Sequence, residues 1–312
     1  MGWRSMFDKK VAVVWSSRSE EGLLKPVIRR LKEVPSVEVL ELKNDNNCDP
    51  QSLGFRYLEF WHLFKLEKPD LVFCSFDRKE MLPVAYAAFL QNIPMVQLHA
   101  GDVSIGGSWD DSVRHCLTLM ATLAFCNGQG SYTRARDLKW LLNTDTNSFV
   151  SGEMMGVYEV GSTALDDIEP DYRDVGLQDS FDLVLYSPPT KQPKLIKAEL
   201  QEIEAILNKP VVWIGPTSDP EWMTVVNYLT DLQKRNPDVH FHISVDRPKF
   251  LALMDRCDRF IGNSSSLFVE APYFKPREKL IHIGIRNKGR EFIIVRKGGS
   301  ERIVEHVKRF LE

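Results

Sequence analysis

Nowhere in these 312 residues do apolar side chains run on for the roughly 18 positions that a membrane span needs. The opening MGWRSMFDKK lacks the apolar core of a signal peptide, and Met6 stands where a myristoylation signal wants Ser or Thr. Charge of one sign is scarce as well. Forty basic against 43 acidic residues leave a net charge of -3, without the basic footprint that nucleic-acid phosphates demand. Cysteine is sparse: Cys48, Cys74, Cys116, Cys126 and Cys257 are odd in number and never in C-x-x-C spacing, which argues for free thiols in a reducing compartment and against metal ligation. Dinucleotide, P-loop and serine-hydrolase readings have no anchor, because G-x-G-x-x-G, a Walker loop and G-x-S-x-G are all missing. The expectation is a soluble cytoplasmic protein with no metal, no nucleic-acid partner and no membrane partner.

What is present is ordinary globular composition, 43% apolar and 27% charged, in a chain long enough for two medium domains. Short β-type runs alternate with helical patterns from end to end, the signature of parallel sheets with crossover helices. VAVVW (11–15), VEVLEL (37–42), DLVFCS (70–75), PMVQLH (94–99) and LAFC (123–126) read as strands of a first half. After an aspartate-rich stretch at 161–180 the pattern restarts with FDLVLY, PVVWIG, DVHFHI, RFIG, KLIHIG and EFIIV. The fold class is therefore α/β, with two Rossmann-like domains facing each other across a cleft. The boundaries fall at 1–165 and 166–298, and a C-terminal helix (299–312) packs back on the first domain.

Ligands of such sheets bind beyond the carboxyl ends of the strands. Arg18 follows the first strand at the mouth of a helix that Ser16 or Ser17 caps, where a cation is unfavourable for the helix dipole. Asp77, Arg78 and Glu80 follow the third strand, Glu80 reading as a solvated first-turn charge. After PMVQLH come Asp102, a mobile Gly106-Gly107 pair, and a helix that begins near Asp110 and Asp111 and carries Arg114 and His115. One of the paired aspartates reads as an N-cap. The remaining carboxylates could serve as acid, base or cation stabiliser in cleavage of a sugar bond. In the second half, IGNSSSLFVEAP sets Asn263, Ser264, Ser265 and Ser266 between a strand and a helix, where unpartnered amides and hydroxyls suit an anion. Glu270 lies one turn further and could accept bonds from ribose hydroxyls. Arg286, Lys288 and Arg290 follow the next strand, able to neutralise a diphosphate, although Lys288 reads equally as a surface residue. His240 and His242 share a strand face without a third ligand, a pattern usually structural.

These segments resemble the UDP-N-acetylglucosamine 2-epimerase family. The resemblance runs from about residue 11 to about 296 and rests on RSEEGLLKPVI, FDRKEMLPVAYAAFLQNIP, HAGDVS, DDSVRH, GNSSS with the later EA, and IGIRNKGRE. DDSVRH is similar to the hydrolysing branch. The resemblance implies a GT-B-type fold and a possible homodimer. The implied reaction loses the proton on carbon 2, eliminates UDP to a 2-acetamidoglucal, and adds water or UDP with inversion at carbon 2. By motif, Arg18, Arg78 and Arg286 would hold the diphosphate, with Arg290, Ser187, Asn263 and Ser264 beside them, and Ser265, Ser266 and Glu270 would hold UDP. Asp77, Asp102, Asp110, Asp111 and Arg114 would form the catalytic group. Ser187 takes the place of a family histidine and Asp102 that of a family glutamate. The expected activity is hydrolysing epimerisation of a UDP-N-acetylhexosamine without a cofactor. The rival readings are a glycosyltransferase of the same architecture and a catalytically silent nucleotide-sugar binder.

Overall fold

The computed structural model describes residues 9–45, 49–104, 109–142, 152–173, 180–216, 220–293 and 296–312. Cys48, the Gly106-Gly107 pair and the side chain of Arg18 lie outside the described residues. The chain divides into two compact units, one made of Met1–Asp102, Asp110–Asp166 and Arg296–Glu312, the other of Val103–Trp109 and Asp167–Val295. Both are α/β, as the alternation implies. No helix among the described residues is long and apolar enough to cross a membrane.

The first unit holds β1 (Lys9–Trp15), β2 (Val37–Lys43), β3 (Leu71–Cys74), β4 (Met95–Leu98), β5 (Leu123–Cys126) and β6 (Val157–Glu159). They form one parallel sheet in the order β2-β1-β3-β4-β5-β6. Its helices are α1 (Arg18–Lys32), α2 (Pro50–Glu67), α3 (Met81–Leu90), α4 (Asp110–Met120), α5 (Gln129–Trp140) and the C-terminal helix (Gly299–Leu311). Side chains alternate across a strand, so β1 feeds two cores. Val11, Val13 and Trp15 pack with Leu24, Val27 and Leu31 of α1 and with Ile303 and Val307 of the C-terminal helix. Ala12 and Val14 pack with Phe60 and Phe64 of α2 and with Met81 and Val84 of α3. The C-terminal helix is tied at its start by Asp166, whose carboxylate accepts from the amides of Gly298 and Ser300 and from Ser300 Oγ, each at 2.7 Å.

The second unit holds β7 (Asp182–Leu185), β8 (Val211–Ile214), β9 (Val239–His242), β10 (Arg259–Gly262) and β11 (Leu280–His282), parallel in the order β11-β10-β7-β8-β9. Its helices are α6 (Ile196–Ile206), α7 (Trp222–Arg235), α8 (Arg247–Arg256), α9 (Ser266–Val269) and α10 (Ala271–Phe274). Buried Asp182 is gripped by both sides of the Arg259 guanidinium, across the β7–β10 pair.

One strand has no counterpart among the expected runs, and one expectation needs correction. Strand β6 carries only three residues, too few for a periodic signal. EFIIV, expected as a strand, has none over 291–293, and residues 294–295 lie outside the described residues. Phe292 instead stacks near Phe268, ring centroids 4.7 Å apart, and the Ile293 amide bonds the Phe268 carbonyl at 2.9 Å. For Phe292 and Ile293 these contacts with Phe268 of α9 stand in place of strand pairing.

Candidate active site

Each sheet reverses its strand order once, between β1 and β3 in the first unit and between β7 and β10 in the second. Crevices open at such switch points beyond the strands' carboxyl ends. In the first unit the turn after β3 runs through Phe76 in the left-handed region, φ 72. For a bulky side chain this costs on the order of 1–2 kcal/mol. Burial of the ring, its edge contact with His99 (5.1 Å) and an amide bond to Leu98 O (3.3 Å) hold it there. The next residue, Asp77, thereby meets Arg114 of α4.

Arg114 is the organising group, only 3% exposed. Its Nη2 donates to Asp77, while Nη1 donates to Asp111 Oδ1 at 2.6 Å and to the Asp102 carbonyl at 3.0 Å. Burial works to lower its pKa, but Asp77, Asp102, Asp111 and Asp110 outweigh it, and the pKa lies above the ordinary guanidinium value. Gln97 of β4 supports this helix end, donating to Arg114 O at 2.8 Å and accepting from Thr118 Oγ1 at 2.7 Å. The Asp102 carboxylate accepts from Asn127 at 2.9 Å, with His99 Nδ1 3.8 Å from the same oxygen. Gly101, φ +69, precedes it, and a Cβ there would stand 2.1 Å from the Ser131 carbonyl oxygen. Sequence reasoning placed an N-cap at Asp110 or Asp111. Both instead lie inside the first turn of α4, where they still complement the helix dipole and where Asp111 is three residues from Arg114.

Beside this group, Arg78 Nε donates to Glu80 Oε1 at 2.6 Å. Glu80 is 1% exposed, so its reading as a solvated charge is wrong: the Arg78 pair makes its burial tolerable. Ser17 caps α1 in a capping box with Glu20, and Glu20 Oε2 accepts the amides of Ser16 and Ser17 at 2.7 and 2.9 Å.

In the second unit, Asn263 bridges the switch point. Its side chain accepts from the Ser187 amide at 2.8 Å and donates to the Ser187 carbonyl at 2.9 Å, joining the segments after β7 and β10. Gly262 before it is indispensable, because a Cβ would lie 2.0 Å from the Leu185 carbonyl oxygen. Asn287 donates to the Asn263 carbonyl at 2.7 Å and accepts from Arg290 at 3.2 Å, while Arg286 donates to the Pro188 carbonyl at 3.2 Å. The structure thus gathers Ser187, Asn263, Arg286 and Arg290. The three serines differ from expectation: α9 is a single turn of four residues, Ser265 makes no side-chain cap bond, and Ser264 Oγ accepts from Ser266 N at 3.3 Å. So short a helix has little macrodipole, which leaves hydroxyls and arginines as the anion-binding groups. Ser266 Oγ is 3.5 Å from Glu270, and Arg247 of α8 donates to the same carboxylate oxygen at 3.1 Å. Arg247, Asn127 and Asn287 escaped sequence reasoning. All three carried a positional signal, Asn127 directly after β5, Arg247 in the segment after β9 and Asn287 in the segment after β11. Among the described residues no cluster of His, Cys, Asp and Glu side chains is arranged to hold a metal ion.

The family model for UDP-N-acetylglucosamine 2-epimerase matches residues 23–312. The chain belongs to this family. Two relatives fall in the hydrolysing branch of the 2-epimerases by their names. One, a hydrolysing UDP-N,N'-diacetylbacillosamine 2-epimerase of Legionella pneumophila, is 27% identical over 91% of this chain and 83% of its own length. The other, a hydrolysing GDP/UDP-N,N'-diacetylbacillosamine 2-epimerase of Campylobacter jejuni, is 28% identical over 85% of this chain and 69% of its own. Among solved structures, the Methanocaldococcus jannaschii UDP-GlcNAc 2-epimerase in complex with UDP-GlcNAc and UDP matches with a TM-score of 0.71 at 16% identity, over 96% of this chain and 99% of that one. That likeness gives the 2-epimerase family's GT-B-type fold to this chain.

Proposed function

We propose that this epimerase-family enzyme binds a UDP-N-acetylhexosamine, removes the proton on carbon 2 and expels UDP. Water then adds to the glycal at carbon 1 while a proton returns to the opposite face of carbon 2. The products are UDP and an N-acetylmannosamine-type sugar. The observation that carries this reading is the Arg114 clamp, which draws Asp77, Asp102 and Asp111 to the ends of β3 and β4. Elimination builds negative charge on the diphosphate and positive charge on the ring, so cations must serve one and carboxylates the other. Asp77 and Asp111 engage the guanidinium through their carboxylates and suit cation stabilisation. Asp102, which engages it through its carbonyl and binds the neutral amide of Asn127, is assigned as the base. In the second unit Ser187, Asn263, Arg286 and Arg290 are assigned to the diphosphate and Ser264, Ser265, Ser266 and Glu270 to the rest of UDP; Arg18 and Arg78, which follow β1 and β3, are assigned to binding anionic groups of the substrate.

The test is incubation in deuterated water with UDP-N-acetylglucosamine and UDP-N,N'-diacetylbacillosamine. Released UDP with deuterium at carbon 2 is expected; neither product from any UDP-HexNAc substrate refutes the reading. A homodimer is proposed on the same footing: Phe55, Leu58 and Leu66 of α2 and Tyr86, Phe89 and Leu90 of α3 are 46–77% exposed on two helices that touch. Light scattering of the wild type and Phe89→Glu tests it, a monomer in both being the contrary result. A cytoplasmic location fits the free thiols of Cys74, Cys116, Cys126 and Cys257.

A further inference from the structure

In the second unit a buried carboxylate lies between two of the segments assigned to the diphosphate. Glu199, in the first turn of α6, is 5% exposed. Its Oε2 accepts from the Tyr186 hydroxyl at 2.6 Å and its Oε1 from the Ile285 amide at 2.9 Å. Tyr186 directly follows β7 and precedes Ser187, while Ile285 follows β11 and precedes Arg286. Burial, together with the Glu199 bond, holds the Tyr186 phenol well above its ordinary pKa against the pull of the Arg286 charge, so it stays a donor. Both neighbours are therefore donors, and a carboxylate has one oxygen for each. The loop after β11 runs so close to the acid that only glycine fits at position 284, where φ is +82 and a Cβ would stand 2.6 Å from the Glu199 carboxyl carbon. Helix α6 is firmly seated, with Ile196, Leu200 and Ile203 packed in one core with Tyr186 and Trp213. Compensation of the helix dipole explains an acid in a first turn, but not its burial against donors from two other segments. Arg286, itself partly exposed, joins the same two segments again by donating to the Pro188 carbonyl at 3.2 Å.

We propose that Glu199 is a positioning residue: it holds the loop after β11 by the Ile285 amide and thereby aims the adjacent Arg286 at the diphosphate of the substrate. The inference rests on the epimerase reading above, in particular on Arg286 as a cation for the diphosphate. A guanidinium fork binds phosphate through donors at fixed angles, so its strength depends on where the backbone that carries it stands. Glu199 needs no contact with the substrate; it ties that backbone to a helix locked in the core.

The test is a double-mutant cycle between Glu199→Met and Arg286→Ala, with UDP affinity measured by calorimetry on the full chain. Methionine keeps the length of the side chain and removes both acceptors. Glu199→Met is expected to raise the dissociation constant about tenfold and Arg286→Ala about thirtyfold, in the range of one charge-assisted contact. The double variant should bind within about threefold of Arg286→Ala alone, because a misaimed guanidinium has little left to lose. Losses that multiply to roughly three-hundredfold mark a merely structural role and overturn the inference, as does a folded Glu199→Met within about threefold of wild type. Glu199→Gln is the conservative rescue: its oxygen accepts the Ile285 amide, its NH2 donates to the phenol oxygen, and most of the affinity should return. Equal loss in the Gln and Met variants overturns the inference, since charge and not anchoring would then matter. If Glu199→Met does not fold, Tyr186→Phe carries the same cycle by leaving Oε2 without its donor, with a loss of about fivefold that disappears in the Arg286→Ala background. Wild-type protein that binds and releases no UDP sinks the epimerase reading. UDP binding that Arg286→Ala leaves unchanged sinks the assignment of Arg286 and this inference with it, whereas binding weakened by Arg286→Ala but not by Glu199→Met sinks only the role of Glu199.

Discussion

Arg114→Lys isolates what the guanidinium does. The wild-type side chain makes one bond to Asp77, one to Asp111 and one to the Asp102 carbonyl, from a position 3% exposed. Lysine keeps the charge, but its compact ammonium cannot span three acceptors held by β3, β4 and α4. Two charge-assisted bonds are lost, each about 1.5–3 kcal/mol, and a shifted ammonium recovers part, which leaves a net cost of about 2–4 kcal/mol. For a unit of this size that lowers the melting temperature by roughly 5–12 °C. Asp77 and Asp111, freed from a common anchor, drift by about 1 Å, which costs kcat on the order of a hundredfold. Differential scanning fluorimetry reads the first effect and deuterium incorporation at carbon 2 the second. A melting point within about 2 °C of wild type, together with kcat within about threefold, would refute the view that one buried arginine assembles the carboxylates.

Gly101→Ala puts a methyl 2.1 Å from the Ser131 carbonyl oxygen in a left-handed position, so a loss of about 3–5 kcal/mol or failure to express is expected, read by thermal unfolding. Asp102→Asn keeps the Asn127 contact geometry but removes the proton acceptor. UDP binding should persist by calorimetry while deuterium exchange at carbon 2 falls by at least roughly a thousandfold. Glu20 also makes the first unit's stability pH-dependent. Its carboxyl, raised to about 7, contributes stability that is fully present below its unfolded value near 4.5 and lost as pH rises through 7. The loss is about 3 kcal/mol, and urea unfolding at pH 4.5 and 8 should show it in the wild type but not in Glu20→Gln.

Much of this architecture was legible in local pattern, because buried parallel strands are short apolar runs and crossover helices carry a 3.6-residue period. VAVVW, LAFC and RFIG became β1, β5 and β10 with boundaries shifted by at most two residues. The Ser17 cap was likewise readable, since a capping box spans only four residues. Reading failed where long-range packing outweighs local preference. Glu80 resembles any first-turn charge until Arg78 and the Asn44 contact enclose it. EFIIV has every local mark of a strand, yet Phe292 finds its partner on α9.

The alternation of strands and helices, the residue types beyond each strand and the family they imply were thus inherent in the amino-acid order, for each is a matter of neighbours a few residues apart. That Asp77 and Asp102 join Asp111 at Arg114, and how Asn263 joins β7 to β10, were decided by the fold alone. The Arg114–Asp77 and Asn263–Ser187 contacts link residues dozens of positions apart, and their geometry arises when the sheets stack their strands out of chain order.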